Sequence, residues 1–84
     1  MPKGLEGLVE PKVLAIFSTF LLNPQKLYHL NSLAQSSKVP VSSTFRIIHK
    51  LVKNNFVEEI KVGKVSIYKL ADNLKIKAIR ELYE

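Results

Sequence analysis

Six side chains between positions 42 and 53 are the best placed in this sequence to act together: Ser42, Ser43, Arg46, His49, Lys50 and Lys53. Laid on an α-helix at about 100° per residue, they fall on one side, and Val41, Thr44, Phe45, Ile47, Ile48, Leu51 and Val52 fall on the other. One face suits a core, and the other holds only hydrogen-bond donors and cations. Arginine and lysine donate to guanine O6 and N7 or to phosphate oxygens. Small hydroxyls near a helix start permit close approach to phosphates and base edges. The helix N-terminus adds a dipole favourable to phosphate. Arg46 is the strongest single candidate, because it is one of two arginines and sits mid-face, where a fork-like bidentate contact is possible.

Other chemistries find little support. His29 and His49 stand 20 residues apart with a single aspartate, Asp72, so no metal site is expected, and His29 reads as a partly buried loop residue. Serine, histidine and aspartate occur without a nucleophile elbow or a glycine loop. Glu58 and Glu59 read as solvated charge on a strand rather than as a catalytic pair. The absence of cysteine excludes disulfides, thiol catalysis, zinc fingers and thiolate metal sensing. Neither an enzyme nor a bound cofactor is expected.

The net charge of +6 is unevenly placed. From Lys38 to Lys69 there are seven cations against two acids, and elsewhere six cations against five acids. Concentrated positive charge favours a polyanionic partner, although a solvated lysine-rich surface is the plainer reading of charge alone. Eighty-four residues make one domain, small enough that pairing with a second copy would help it. No run approaches the roughly 20 apolar residues that span a bilayer. Residues 1–10 lack an apolar signal core, so a cytoplasmic location with no membrane partner is expected.

The elements that must hold these residues follow from the pattern. Residues 1–10 read as a flexible arm, and 11–84 as the folded domain. Pro11 suits a first helical turn, the apolar residues from Val13 to Leu21 are helically spaced, and Asn23-Pro24 ends that helix. Tyr28-His29-Leu30 could form a very short strand. Asn31 is a suitable N-cap for a short second helix ending near Ser37, with Leu33 and Ala34 inward. A turn at Lys38-Val39-Pro40 leads to the third helix, about 41–54, which starts near Val41 or Ser42 and ends at Asn54-Asn55. Residues 56–61 and 65–70 read as strands around a tight turn at Gly63. Asp72 or Asn73 caps a last helix running to about Tyr83. The predicted class is mainly α with a small β-hairpin (α+β): about four helices plus two or three strands. Phe17, Phe20 and Phe45 are expected in the core, and Tyr68 inward with its hydroxyl at the rim.

Helix, short turn, second helix and basic hairpin, in that order, resemble the winged helix-turn-helix domain of small bacterial and archaeal transcriptional regulators of the ArsR/MarR-like superfamily. The resemblance rests on Leu30-Asn31-Ser32-Leu33-Ala34, on Ser42 through Leu51, on Asn55-Phe56-Val57-Glu58 and on Tyr68-Lys69-Leu70. Asn55 stands where glycine is usual and Pro40 where a capping Ser or Thr is common. The resemblance implies double-stranded DNA as partner, the third helix in the major groove, and a wing of about residues 56–70 on the flanking minor groove or phosphates. It implies that Ser42, Ser43, Arg46, His49 and Lys50 face bases or nearby phosphates. Asn31, Ser32, Lys53, Lys61 and Lys64 would hold the backbone.

The apolar arc of the last helix looks wider than one small domain can cover. Leu74, Ile76, Ala78, Ile79, Leu82 and Tyr83, with Phe20 and Leu21 of the first helix, are therefore expected to form a homodimer interface. A two-fold dimer would set its reading helices about one DNA turn (~34 Å) apart and prefer a palindrome. The expectation is a sequence-specific DNA-binding transcriptional regulator, most simply a repressor. The alternatives are a winged-helix protein–protein adaptor in a transcription or chromosome-organising complex, and a nonspecific chromatin-type DNA binder.

Overall fold

The computed structural model describes residues 10–83, the side chain of Tyr83 excepted. Apart from Glu10, the expected arm lies outside the described residues. Six elements follow one another: α1 (Pro11–Leu22), α2 (Leu30–Ser37), α3 (Val41–Lys53), β1 (Val57–Val62), β2 (Val65–Leu70) and α4 (Leu74–Tyr83). The order and class match the expectation of four helices and a hairpin.

Pro11 occupies the first turn of α1, where the missing N–H costs nothing. Val13, Ile16, Phe17 and Phe20 recur at three- and four-residue spacing and are all buried. The α2 helix starts at Leu30, two residues earlier than expected, because His29 rather than Asn31 is its cap. His29 Nδ1 accepts from the Ser32 N–H at 3.2 Å, and Ser32 Oγ accepts from the His29 N–H at 3.1 Å. This reciprocal pair satisfies two donors at the helix start. It leaves His29 exposed, where a partly buried loop residue was expected.

Pro40 precedes α3, and the buried Thr44 Oγ1 donates to the Pro40 and Val39 carbonyls at 3.0 and 3.3 Å. At the other end Asn55 takes φ +63°, with Phe56 N–H bonded to Leu51 O and Asn55 N–H to Val52 O. These two bonds form a Schellman ending with asparagine in the left-handed position that glycine usually fills. In β1 and β2 the register runs from Val57 opposite Leu70 to Val62 opposite Val65. Gly63, at φ +64°, is the first turn residue and Lys64 the second, as in a type II′ hairpin. Phe56, expected in the first strand, stays outside it and packs edge-on against Phe17 with centroids 5.3 Å apart.

The expected third strand is a single bridge. Tyr28 and Tyr68 exchange backbone hydrogen bonds of 2.8 and 2.6 Å, which pins the hairpin to the helices. Asn73 caps α4 by accepting from the Ile76 N–H at 2.9 Å, while its Nδ2 donates to Asn55 O. The end of α3 and the start of α4 are thus tied by one side chain. The core lies between α1, α2, α3 and the hairpin base, with Ile16, Phe20, Leu33, Ile47 and Ile48 fully enclosed. Among the described residues, no buried side-chain nitrogen or oxygen lacks a hydrogen-bond partner.

Candidate nucleic-acid interface

The α3 helix holds the site because its buried side is narrow. Only Thr44, Ile47, Ile48 and Leu51 are buried, an arc of about 100° on the helix wheel. The opposite direction is occupied by Ser42, Arg46, His49 and Lys53, all exposed, with Lys50 exposed beside them and Ser43 half-buried. The expectation of one wetted, cation-bearing flank is met. At 1.5 Å per residue the 13-residue α3 is about 20 Å long, a rod that a major groove about 12 Å wide admits.

Two assignments on this helix are corrected. Val41 and Phe45 were expected inward and are 46% and 52% exposed. On the wheel Phe45 lies about 60° beyond the edge of the buried arc, so the core cannot reach it. Its ring instead rests edge-on against the His49 imidazole, with centroids 4.4 Å apart. Phe45 is the only exposed phenylalanine or tyrosine among the described side chains.

The wing brings Lys61 and Lys64 to its exposed tip, as expected. Between the wing, the start of α2 and α3 runs a groove of about 420 Å³, lined by His29, Asn31, Phe45, Lys64, Val65 and Ser66 among others. Asn31 and Lys64 therefore meet at one groove. Ser32 differs. It is half-buried, and its hydroxyl is engaged with His29, accepting from the N–H and donating to the carbonyl at 3.0 Å. His29 and Ser66 were not anticipated at the site. The signal for His29 was a serine three residues ahead of it, the spacing of a reciprocal cap.

Tyr68 forms part of the groove floor and is buried, as expected. Burial pushes its phenol above the ordinary value; a hydrogen bond with Ser66 opposes this and the charge of Glu59 adds to it. Ser66 Oγ also donates to Glu59 Oε2 at 2.7 Å, so Glu59 is a hydrogen-bonded acceptor rather than a free carboxylate. Among the described residues, no three His, Cys, Asp or Glu side chains are grouped so as to hold a metal ion. No described helix is long and apolar enough to cross a membrane.

The expected partner-facing surface divides. Phe20 and Ile76, at 0% and 2% exposure, are closed off by their own chain and cannot face a second copy. Leu74 and Leu82, at 84% and 86%, and Ala78 are exposed, while Leu21 and Ile79 are half-buried. The Tyr83 side chain lies outside the described ones.

No family model matches this sequence, and no curated protein matches it. Solved structures do resemble it. HlyU from Vibrio cholerae superposes with a TM-score of 0.73 at 20% identity, over 99% of this chain and 94% of that one. A possible transcriptional regulator from Methanosarcina mazei gives 0.71 at 22%, over 90% of this chain and 68% of that one. A homodimeric winged helix-turn-helix DNA-binding domain of a possible ArsR-family regulator from Mycobacterium bovis gives 0.71 at 15%, over 93% and 68%. At such identities these likenesses establish a shared fold: the chain is a winged helix-turn-helix, with α2 and α3 as the helix-turn-helix and β1–β2 as the wing.

Proposed function

We propose that this protein is a sequence-specific double-stranded DNA-binding transcriptional regulator that acts as a homodimer, most simply as a repressor occupying a promoter. The observation that carries this reading is the outer face of α3, where Ser42, Arg46, His49, Lys50 and Lys53 all stand exposed on one element. The similar structures described as possible transcriptional regulators support it. In this reading α3 enters the major groove, with Ser42, Ser43, Arg46, His49 and Lys50 at or near base edges. One phosphate strand crosses the groove between α3 and the wing, met by His29, Asn31, Lys64 and Ser66; Lys53 and Lys61 hold neighbouring phosphates.

The dimer is proposed through α4. Leu74, Ala78 and Leu82 recur every fourth residue and form one uncovered apolar stripe, opposite the buried Ile76. Pairing of two such stripes around a two-fold axis would set the reading helices for a palindromic site. The reading is tested by electrophoretic mobility shift on duplexes selected from random DNA. Arg46→Ala is expected to weaken binding by about 1–3 kcal/mol and to relax preference at one position per half-site. Equal affinity and preference for both proteins removes α3 as the reading element. A specificity ratio near one against competitor DNA favours a nonspecific binder.

The protein-adaptor reading gains one specific observation, because Phe45 is an apolar side chain on the outer part of α3. Five polar or cationic neighbours on that face weigh against it. A partner captured from lysate and retained after nuclease treatment would raise it.

A further inference from the structure

We propose that Phe45 is a specificity-determining residue that reads the 5-methyl group of a thymine in the major groove. The inference rests on the DNA-binding reading above and deepens it. Phe45 is more than half exposed, yet it is not loose: its ring is braced against His49 one helical turn ahead, at 4.4 Å and 75°. A half-exposed ring at the edge of the polar face forfeits part of the gain it would have in a core, so a partner that supplies apolar surface is the chemistry it fits. On the helix it stands between the apolar Val41 and Val52 and the polar His49 and Ser42, and it shares its groove with Asn31, Lys64 and Ser66 as well as Val65, so a partner that is both anionic and locally apolar suits it. A DNA major groove offers this combination only at the thymine methyl.

Placement points the same way. Phe45 is the fifth residue of α3, within the N-terminal part that reaches base edges in helix-turn-helix docking. It lies on the flank between Ser42, which points straight out, and the groove shared with Lys64 and His29, where the phosphate strand is assigned. The thymine methyl projects from its base edge toward the backbone of its own strand. A side chain between the base-reading face and the backbone groove therefore meets it first. The hydrogen-bonding residues on this face cannot read that group, since a methyl neither donates nor accepts.

The experiment is a deoxyuridine scan. Each thymine of a selected duplex is replaced singly by deoxyuridine, which deletes the methyl and leaves pairing and hydrogen bonding unchanged. Affinities are then measured for wild type, Phe45→Ala and Phe45→Leu. One thymine per half-site is expected to cost the wild type about fourfold, the worth of one buried methyl. Phe45→Ala should be insensitive at that same position, and Phe45→Leu should keep part of the effect. Because the ring is outside the core, all three proteins should share one melting temperature. A flat scan for wild type overturns the inference while leaving the DNA-binding reading intact. Sensitivity that persists in Phe45→Ala assigns the methyl to another residue and also overturns it. A wild type that selects no duplex overturns the underlying reading itself, a separate and recognisable failure.

Discussion

Replacing Lys61 and Lys64 together by glutamine removes two of the five cations that α3 and the wing present to solvent, leaving Arg46, Lys50 and Lys53. Both lysines are exposed near the hairpin turn, so the fold should tolerate the change. If each of the five neutralises one phosphate, log affinity falls with log salt at a slope of about −4.5 per protomer, and the double variant retains about −2.7. From about 50 to 200 mM salt that is a loss of about 500-fold for wild type and about 40-fold for the variant, per protomer. The assay is fluorescence anisotropy of a labelled duplex across a salt series, with Lys77→Gln as control. Lys77 is on α4, beside the hollow formed with Pro24 and Leu70, away from the groove between α3 and the wing. An unchanged slope in the double variant, or an equal change in Lys77→Gln, refutes the placement of the wing on phosphate.

Leu82→Glu should convert the proposed dimer to a monomer by sedimentation velocity without lowering helical content, because Leu82 is 86% exposed and outside its own core. An unaltered sedimentation coefficient places the interface elsewhere. His29→Ala should destabilise by about 1 kcal/mol, the worth of a helix cap, visible as a melting point lower by about 4–8 °C in a chain of this size. Tyr68 is expected to make stability fall above about pH 10. Its phenol is raised in the folded state, so the unfolded chain ionises first, binds fewer protons and is favoured as pH rises. Tyr68→Phe should remove that part of the slope in denaturant titrations at alkaline pH.

Element order was legible because each boundary has a local chemical cause. Pro11 and Asn23-Pro24 bracket α1, Asn55 closes α3, Gly63 turns the hairpin and Asn73 starts α4, each through its own backbone preference. The left-handed Asn55 fits the position where glycine is usual, since asparagine tolerates that conformation. His29 escaped notice because imidazole is a rare cap, and its role shows only when Ser32 answers it.

What could not be read was which apolar side chain belongs to which surface. A helix wheel ranks directions but does not say how wide the core opposite will be. On α3 the core covers only about 100°, so Phe45, grouped with Ile48 and Val52 by angle, stands outside it. On α4 the same ambiguity runs the other way. Ile76 and Leu74 are equally apolar and two residues apart, yet one is 2% exposed and the other 84%. Asn73, tied to both Asn55 O and the Ile76 N–H, sets the rotation of α4 and so turns Ile76 inward. Once that rotation is fixed, Leu74, Ala78 and Leu82 have no surface of their own chain to meet among the described residues. The capping asparagine thus separates the intramolecular core from the proposed dimer surface. Disturbing it should alter oligomeric state and stability together, whereas Leu82→Glu should alter only the first.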